Sequence, residues 1–238
     1  MNEHEKKEIL VNAKEFFKET IVKNHIKNTK KINLKKFNIN PFLIKYLANF
    51  LTGSSSPNDI AKALIYPRVL GTSINTSFGM NLQKFCTQTL KGFSSTTTGI
   101  DIEFIDCLDN RKKYCQIKAG PNTINHDDVE TIKNHFDSVR KLARTNNLNL
   151  NYNDLIVGVF YGTEDELSAH YKRLDESFPV YVGKEFWYRL TGDENFYYDL
   201  IDVIASSALD EDCSELLDNV ITSLAEELRN EKTLFDQD

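Results

Sequence analysis

The sequence predicts an α/β fold, a mixed β-sheet flanked by helices and preceded by a helical, lysine-rich N-terminal region. Two alternating segments, IDIEFID and KKYCQIKAG, are separated by a turn at Asp109-Asn110, the chemistry of a β-hairpin. A long helical pattern then leads to the apolar run DLIVGVFYG, the order expected of a β-α-β crossover. On both sides of this block the chain carries apolar residues at three-and-four spacing, the period of amphipathic helices.

Taken in order, Ile9, Leu10, Ala13, Phe16, Phe17 and Ile21 share one side of a first helix, which is expected to end near Asn24. A connector with Lys30, Lys31, Lys35 and Lys36 follows, and PFLIKYLANFL opens on a proline suited to a first helical turn. GSSSPND breaks the chain, so a boundary is placed here: residues 1–55 form the N-terminal helical region and 56–238 the main domain with its C-terminal helices. Pro57 or Asn58 starts a third helix through Leu64, and Gly71 to Leu90 supplies a fourth. After the hairpin, Asn125 is a cap, Asp127 and Asp128 fill the first turn, and Lys141 and Arg144 lie near the end of a long helix whose dipole they suit. PVYVG is a short strand, and EFWYRLTGD, NFYYDLIDVIASSAL and CSELLDNVITSLAEELRNEK are helical.

The chain has 238 residues, 40% of them hydrophobic, enough for a sizeable core, which excludes a disordered or fibrous protein. No stretch reaches the ~20 apolar residues of a membrane span, and MNEHEKKEIL is charged where a signal peptide would be apolar, so a cytoplasmic protein without a membrane partner is expected. The cysteines Cys86, Cys107, Cys115 and Cys213 show no metal spacing and read as free, mostly buried thiols. The net charge of -6 hides a strong asymmetry: residues 1–50 hold eleven Lys against five Glu, and residues 199–238 hold twelve acids against two bases. Because a polyanion responds to the local field, this net charge does not exclude nucleic acid. The segment from Ile60 to Ile100 has no Asp or Glu and carries Lys62, Arg68, Lys84 and Lys91, a basic stretch able to approach phosphates.

Residues two apart in a strand share a face, so Asp101 and Glu103 project together, as do Gln116 and Lys118, while Ile100, Ile102, Phe104, Cys115 and Ile117 face a core. Phosphodiester hydrolysis needs a divalent cation held by hard oxygen donors and a nearby positive charge. Asp101 offers a carboxylate, Gln116 an amide carbonyl and Ile117 its peptide carbonyl, a set that Mg²⁺ accepts when water and phosphate complete it. Lys118 then orients the water or stabilises the transition state.

GIDIEF followed by YCQIKAGP resembles the PD-(D/E)xK nuclease motif, and QIKAGPNTIN, DDVETI and VGKEFWYRLTGD resemble the PmeII-type type II restriction endonucleases. The resemblance spans roughly residues 71–210. It implies a PD-(D/E)xK restriction-endonuclease-like core, Mg²⁺-dependent cleavage of double-stranded DNA at a short site, and a homodimer with two active sites. A companion DNA methyltransferase encoded alongside is also implied. Gln116 departs from the superfamily pattern, which usually has an acidic residue there, so Glu103 is the candidate to restore the missing charge. Asn122, Thr123 and Asn125 are candidate DNA contacts.

Each of these residues also has a structural reading. Asp101 and Lys118 would form a cross-strand ion pair, and Gln116 would be a surface residue of a strand. Asn122, Thr123 and Asn125 would be turn and cap residues, and the N-terminal lysines a solvated face. Trp187 and its tyrosine neighbours read as core, and His126, His135 and His170 receive no role. Two alternatives to a restriction enzyme are a structure-specific repair or recombination nuclease of the same superfamily and a catalytically silent DNA-binding relative.

Overall fold

The structure is a computed structural model that describes residues 1–90, 93–208 and 213–231; Lys91 of the basic stretch lies outside the described residues. The chain forms two compact units. One comprises Met1–Phe16 and Gly79–Ser206, the other Phe17–Phe78 and Ser207–Asp238. These units interleave along the chain, so the boundary read near residue 55 coincides with an edge of neither.

The first unit is built on a four-stranded mixed sheet in the order β1-β2-β3-β4, with β1 Ile102–Ile105, β2 Lys112–Lys118, β3 Leu155–Val159 and β4 Val180–Val182. β1 and β2 pair antiparallel with Ile102 opposite Cys115 and Glu103 opposite Tyr114, whereas β2, β3 and β4 run parallel. The turn between β1 and β2 depends on Asn110, which takes φ 56°. Its N–H donates to Asp106 O at 2.9 Å, and Asp109 Oδ1 accepts from Arg111 N at 3.0 Å. Asn tolerates this left-handed backbone better than most residues, which is why Asp109-Asn110 reads as a turn.

The helices are α1 Glu3–Phe16, α2 Lys23–Thr29, α3 Pro41–Thr52, α4 Pro57–Pro67, α5 Ile74–Thr89, α6 His126–Thr145, α7 Ala169–Asp175, α8 Lys184–Thr191, α9 Phe196–Ser206 and α10 Ser214–Asn230. The long helix predicted after the hairpin is α6, and it carries the chain from β2 to β3. Its Val129, Ile132, Phe136 and Val139 pack with Leu155, Val157 and Val159. Tyr171 and Leu174 of a short helix, Ala169–Asp175 between β3 and β4, join the same core. Gly158 brings the sheet close to another aromatic layer: a Cβ built there would lie 2.3 Å from Phe186. In that layer Trp187, which is fully buried, donates its indole N–H to Phe160 O at 2.9 Å and meets the Phe160 ring edge-on at 5.0 Å. The rings continue through Phe85 to Phe16 of the first helix, Glu3–Phe16, each contact 5.4 Å between centroids. That helix is tied down by Lys6, whose ammonium sits 2.5 Å from Asp193 and 2.6 Å from Asp199.

Beneath the hairpin turn lies a charged network. The Lys113 side chain has no exposure and contacts Asp109, with Asn153 O at 2.9 Å and Asp154 at 3.7 Å. Arg111 meets the nearly buried Asp154 through two guanidinium nitrogens. Burial pushes the Asp154 carboxyl up, but Arg111, the Asn151 N–H and Lys113 outweigh it and hold the group below the usual carboxylate range.

The second unit is helical. Its helices include α3 (Pro41–Thr52), α4 (Pro57–Pro67) and α10 (Ser214–Asn230). Asn40 caps α3, its Oδ1 accepting from Phe42 N and Leu43 N at 3.1 and 3.4 Å. Ile44 and Ala48 of α3, Ile60, Ala61 and Ile65 of α4, and Val220, Ile221, Leu224 and Leu228 of α10 form one buried cluster. The acidic C-terminal helix thus spends its apolar side on its own unit.

Two helix ends differ from expectation. The first helical stretch continues past Asn24 through a π-helical segment, Phe17–Val22, to Thr29. Asn24 does not stop it because its Nδ2 bonds back to Thr20 O at 2.7 Å inside the helix. The helix expected to close at Leu64 reaches Pro67 and runs on through a second π-helical segment, Arg68–Ser73, into Ile74–Thr89. No described helix is long and apolar enough to cross a membrane. All four cysteines are free, Cys86 and Cys115 buried and Cys107 exposed.

Candidate active site

Asp101 lies immediately before β1, and continuing the β1–β2 register places it opposite Gln116. Its backbone N–H donates to Cys115 O at 3.0 Å, and its Oδ2 accepts from Ile117 N at 2.7 Å. The carboxylate, the amide side chain and the Ile117 peptide therefore converge at one end of the hairpin. Burial pushes the Asp101 carboxyl above its ordinary value, against the Ile117 N–H and the charge of Lys118. A carboxylate that is costly to ionise where it sits gains when a cation arrives.

Gln116 is buried and held by two partners. Its Nε2 donates to Gly99 O and lies 2.8 Å from His135 Nδ1. A peptide carbonyl only accepts, so the amide atom facing Gly99 must be the NH₂ group. It follows that His135 Nδ1 accepts and the imidazole carries its proton on Nε2. The amide oxygen is turned the other way. Among the described residues neither Gln116 Oε1 nor Asp101 Oδ1 has a hydrogen-bond donor. Gly99 makes the close approach possible. Its φ is 81°, and a Cβ there would stand 2.6 Å from His135 Cγ.

Lys118, at the end of β2, is half-buried, and among the described residues its ammonium has no ion-pair or hydrogen-bond partner. Glu103, one step along the Asp101 face, has partners of its own. Oε1 accepts from Ser95 Oγ at 2.5 Å and Thr97 Oγ1 at 3.0 Å, and Oε2 pairs with Lys112 at 2.6 Å. Burial raises its carboxyl, but Lys112, Ser95 and Thr97 prevail and keep it below the ordinary range.

The three candidate DNA contacts separate. Asn125 caps α6 in a reciprocal pair with Asp128, each N–H reaching the other's side chain at 2.9 Å. Thr123 donates to Gly120 O at 2.8 Å and meets Tyr171 Oη at 3.2 Å, inside the turn after β2. Asn122 is exposed beside them. His135 is the residue that sequence reasoning left without a role; no spacing along the chain links it to Gln116, and only the docking of α6 on the sheet does so.

The donors fit a magnesium ion. No cluster of three or more His, Cys, Asp or Glu is placed to hold a metal among the described residues, but Asp101 Oδ1 and Gln116 Oε1 are hard oxygens without donors. Mg²⁺ accepts such a small set because it keeps several waters and takes substrate phosphate as a further ligand.

A four-stranded mixed sheet flanked by helices is the architecture of the restriction-endonuclease-like fold. Residues 6–212 match the sequence profile of the family described as type II restriction endonuclease EcoO109I, and the chain belongs to that family. It is a DNA nuclease of the restriction type, related to EcoO109I by this match. No curated protein matches the chain.

Proposed function

We propose that this chain hydrolyses phosphodiester bonds of double-stranded DNA at a specific site, with Mg²⁺, as a homodimer in the cytoplasm. The observation that carries the reading is the convergence of Asp101, Gln116 and the Ile117 peptide beside Lys118, which has no ion-pair or hydrogen-bond partner among the described residues. Asp101, Gln116 and the Ile117 carbonyl would hold the metal, which supplies polarisation of the phosphoryl oxygen and a more acidic water. Lys118 orients the attacking water and offsets charge developing on the phosphate. Asp101, already bonded to the Ile117 N–H, keeps its free oxygen turned to the site. His135 and Gly99 O clamp the Gln116 NH₂, so the amide oxygen is aimed without searching rotamers. His135 is thus a positioning residue.

Glu103, the candidate to restore the charge that Gln116 lacks, would act through its field and not as a metal ligand. With both oxygens engaged it adds negative field, and it braces the Ser95–Thr97 segment that leads to Gly99. For DNA contact Asn122 is the best placed of its group; Thr123 and Asn125 shape the turn and cap that present it. The PmeII-type assignment within the restriction enzymes rests on the QIKAGPNTIN and VGKEFWYRLTGD strings. A methyltransferase gene beside this one would fit the same reading.

The decisive experiment incubates wild type, Asp101→Ala and Lys118→Ala with unmethylated plasmid and Mg²⁺. Wild type yields discrete fragments, and each variant, folded by circular dichroism, loses at least about 100-fold in rate. Normal cutting by Asp101→Ala would sink the site. A smear, or preference for branched DNA, would replace the restriction reading with a structure-specific nuclease; binding without cleavage would mark a silent relative.

A further inference from the structure

Helix α3 turns a broad apolar face outward. Phe42 is 88% exposed, Phe50 79%, Tyr46 62%, Leu43 56%, Leu51 50% and Leu47 46%. These six form two adjacent rows at four-residue spacing, 42/46/50 and 43/47/51, covering about half the helix circumference. The only charged residue of α3, Lys45, falls on the other side, and Ile44 and Ala48 anchor the helix within its own unit. Tyr46 and Phe50 already stack at 6.1 Å, so the ridge is ordered before anything covers it.

We infer that this face is the contact through which two copies of the chain associate, α3 against α3 about a twofold axis. The inference rests on the dimeric reading above and assigns its surface. Area supports it. Large side chains of ~150–250 Å² each at these exposures leave about 700 Å² uncovered per chain, above the ~300–600 Å² patch of a typical monomer and near the ~800 Å² per partner of a stable complex. Charge supports a second copy over a nucleic acid, because the face carries no cation to meet phosphate. An isologous contact needs only a surface complementary to itself, and a neutral stripe of interleaving Phe, Tyr and Leu meets its own image without repulsion.

The test is sedimentation equilibrium of the full chain, wild type against the pair Phe42→Glu with Phe50→Glu, at micromolar concentration. Wild type should sediment at twice 27.4 kDa. The pair should dissociate with a constant raised at least about 100-fold and an unchanged far-ultraviolet spectrum. Should the pair misfold, Phe50→Cys decides: oxidation must link two chains, against wild type treated identically. A monomeric wild type, a dimer indifferent to the pair, or no link from Phe50→Cys overturns the inference; a lipid or a foreign protein as the natural occupant would give the first of these. Failure of the catalytic reading is distinct: a dimer that splits with the pair yet never cuts DNA keeps this surface and removes the nuclease mechanism. A wild type that cuts and keeps its dimer in the pair does the reverse.

Discussion

The Nε2 of Gln116 and the Nδ1 of His135, 2.8 Å apart, form a donor–acceptor pair whose direction is set by Gly99 O on the same nitrogen. Removing the imidazole leaves one of the two clamps. We expect His135→Ala to raise the Mg²⁺ concentration for half-maximal cleavage and lower the rate by about 10–100-fold, the usual cost of losing a group that orients a ligand. His135→Asn, which restores an acceptor near the Nδ1 position, should recover part of the loss. Cleavage rates across a Mg²⁺ titration measure this, and a uniform loss at every Mg²⁺ level would indicate mere structural damage.

Gln116→Glu looks like a repair toward the acidic residue usual in the superfamily, yet Gly99 O argues otherwise. A carboxylate there faces a carbonyl that cannot donate, so the metal-free variant should lose about 1–3 kcal/mol of stability. Mg²⁺ should return more stability to the variant than to wild type, because it neutralises the new charge. Thermal unfolding with and without Mg²⁺ reads both effects; equal metal responses would refute the assignment of Gln116 as a ligand.

The network under the hairpin turn governs acid stability. Asp154→Asn removes the carboxylate that Arg111 grips and one of the two beside the fully buried Lys113, which keeps Asp109, and a loss of about 1.5–3 kcal/mol at neutral pH is expected. In wild type the Asp154 carboxyl is held below its unfolded value of about 3.9. A lowered folded value means the stabilisation is complete above that unfolded value and disappears as pH falls through the folded one. Urea unfolding between about pH 6 and 3 should therefore show a steep loss below about pH 4 in wild type and a flatter profile in Asp154→Asn.

Two neighbouring asparagines should respond oppositely. Asn125→Ala removes a reciprocal cap and should cost about 1 kcal/mol of stability with little change in DNA affinity. Asn122→Ala should leave unfolding unchanged and weaken binding to the cognate duplex by about 1–3 kcal/mol if it reads a base edge. Urea melts together with fluorescence titration of a labelled duplex separate them.

Much of the sheet was legible because its signals are local. Alternation marks β1 and β2, Asp109-Asn110 marks the turn, and Asn125 with Asp128 marks the start of α6. Asp101, Gln116 and Lys118 were legible for the same reason: hairpin register follows from the turn. What the chain hid is non-local. His135 meets Gln116 only because α6 docks over the sheet, and Lys113 is buried only because β3 brings Asp154 beneath it. Short elements such as Ala169–Asp175 are too brief for periodicity to announce. Asn24 reads as a stop until its side chain is seen bonding back to Thr20.

The interleaving of the two units has a consequence for anyone dissecting the protein. A single scissor cut between residues 17 and 206 divides at least one unit from part of itself, and excising the sheet-bearing stretch alone omits Met1–Phe16, whose Phe16 closes the aromatic stack. Neither half can be isolated by simple truncation; a working minimal fragment would have to be rewired, its first helix grafted directly onto Gly79.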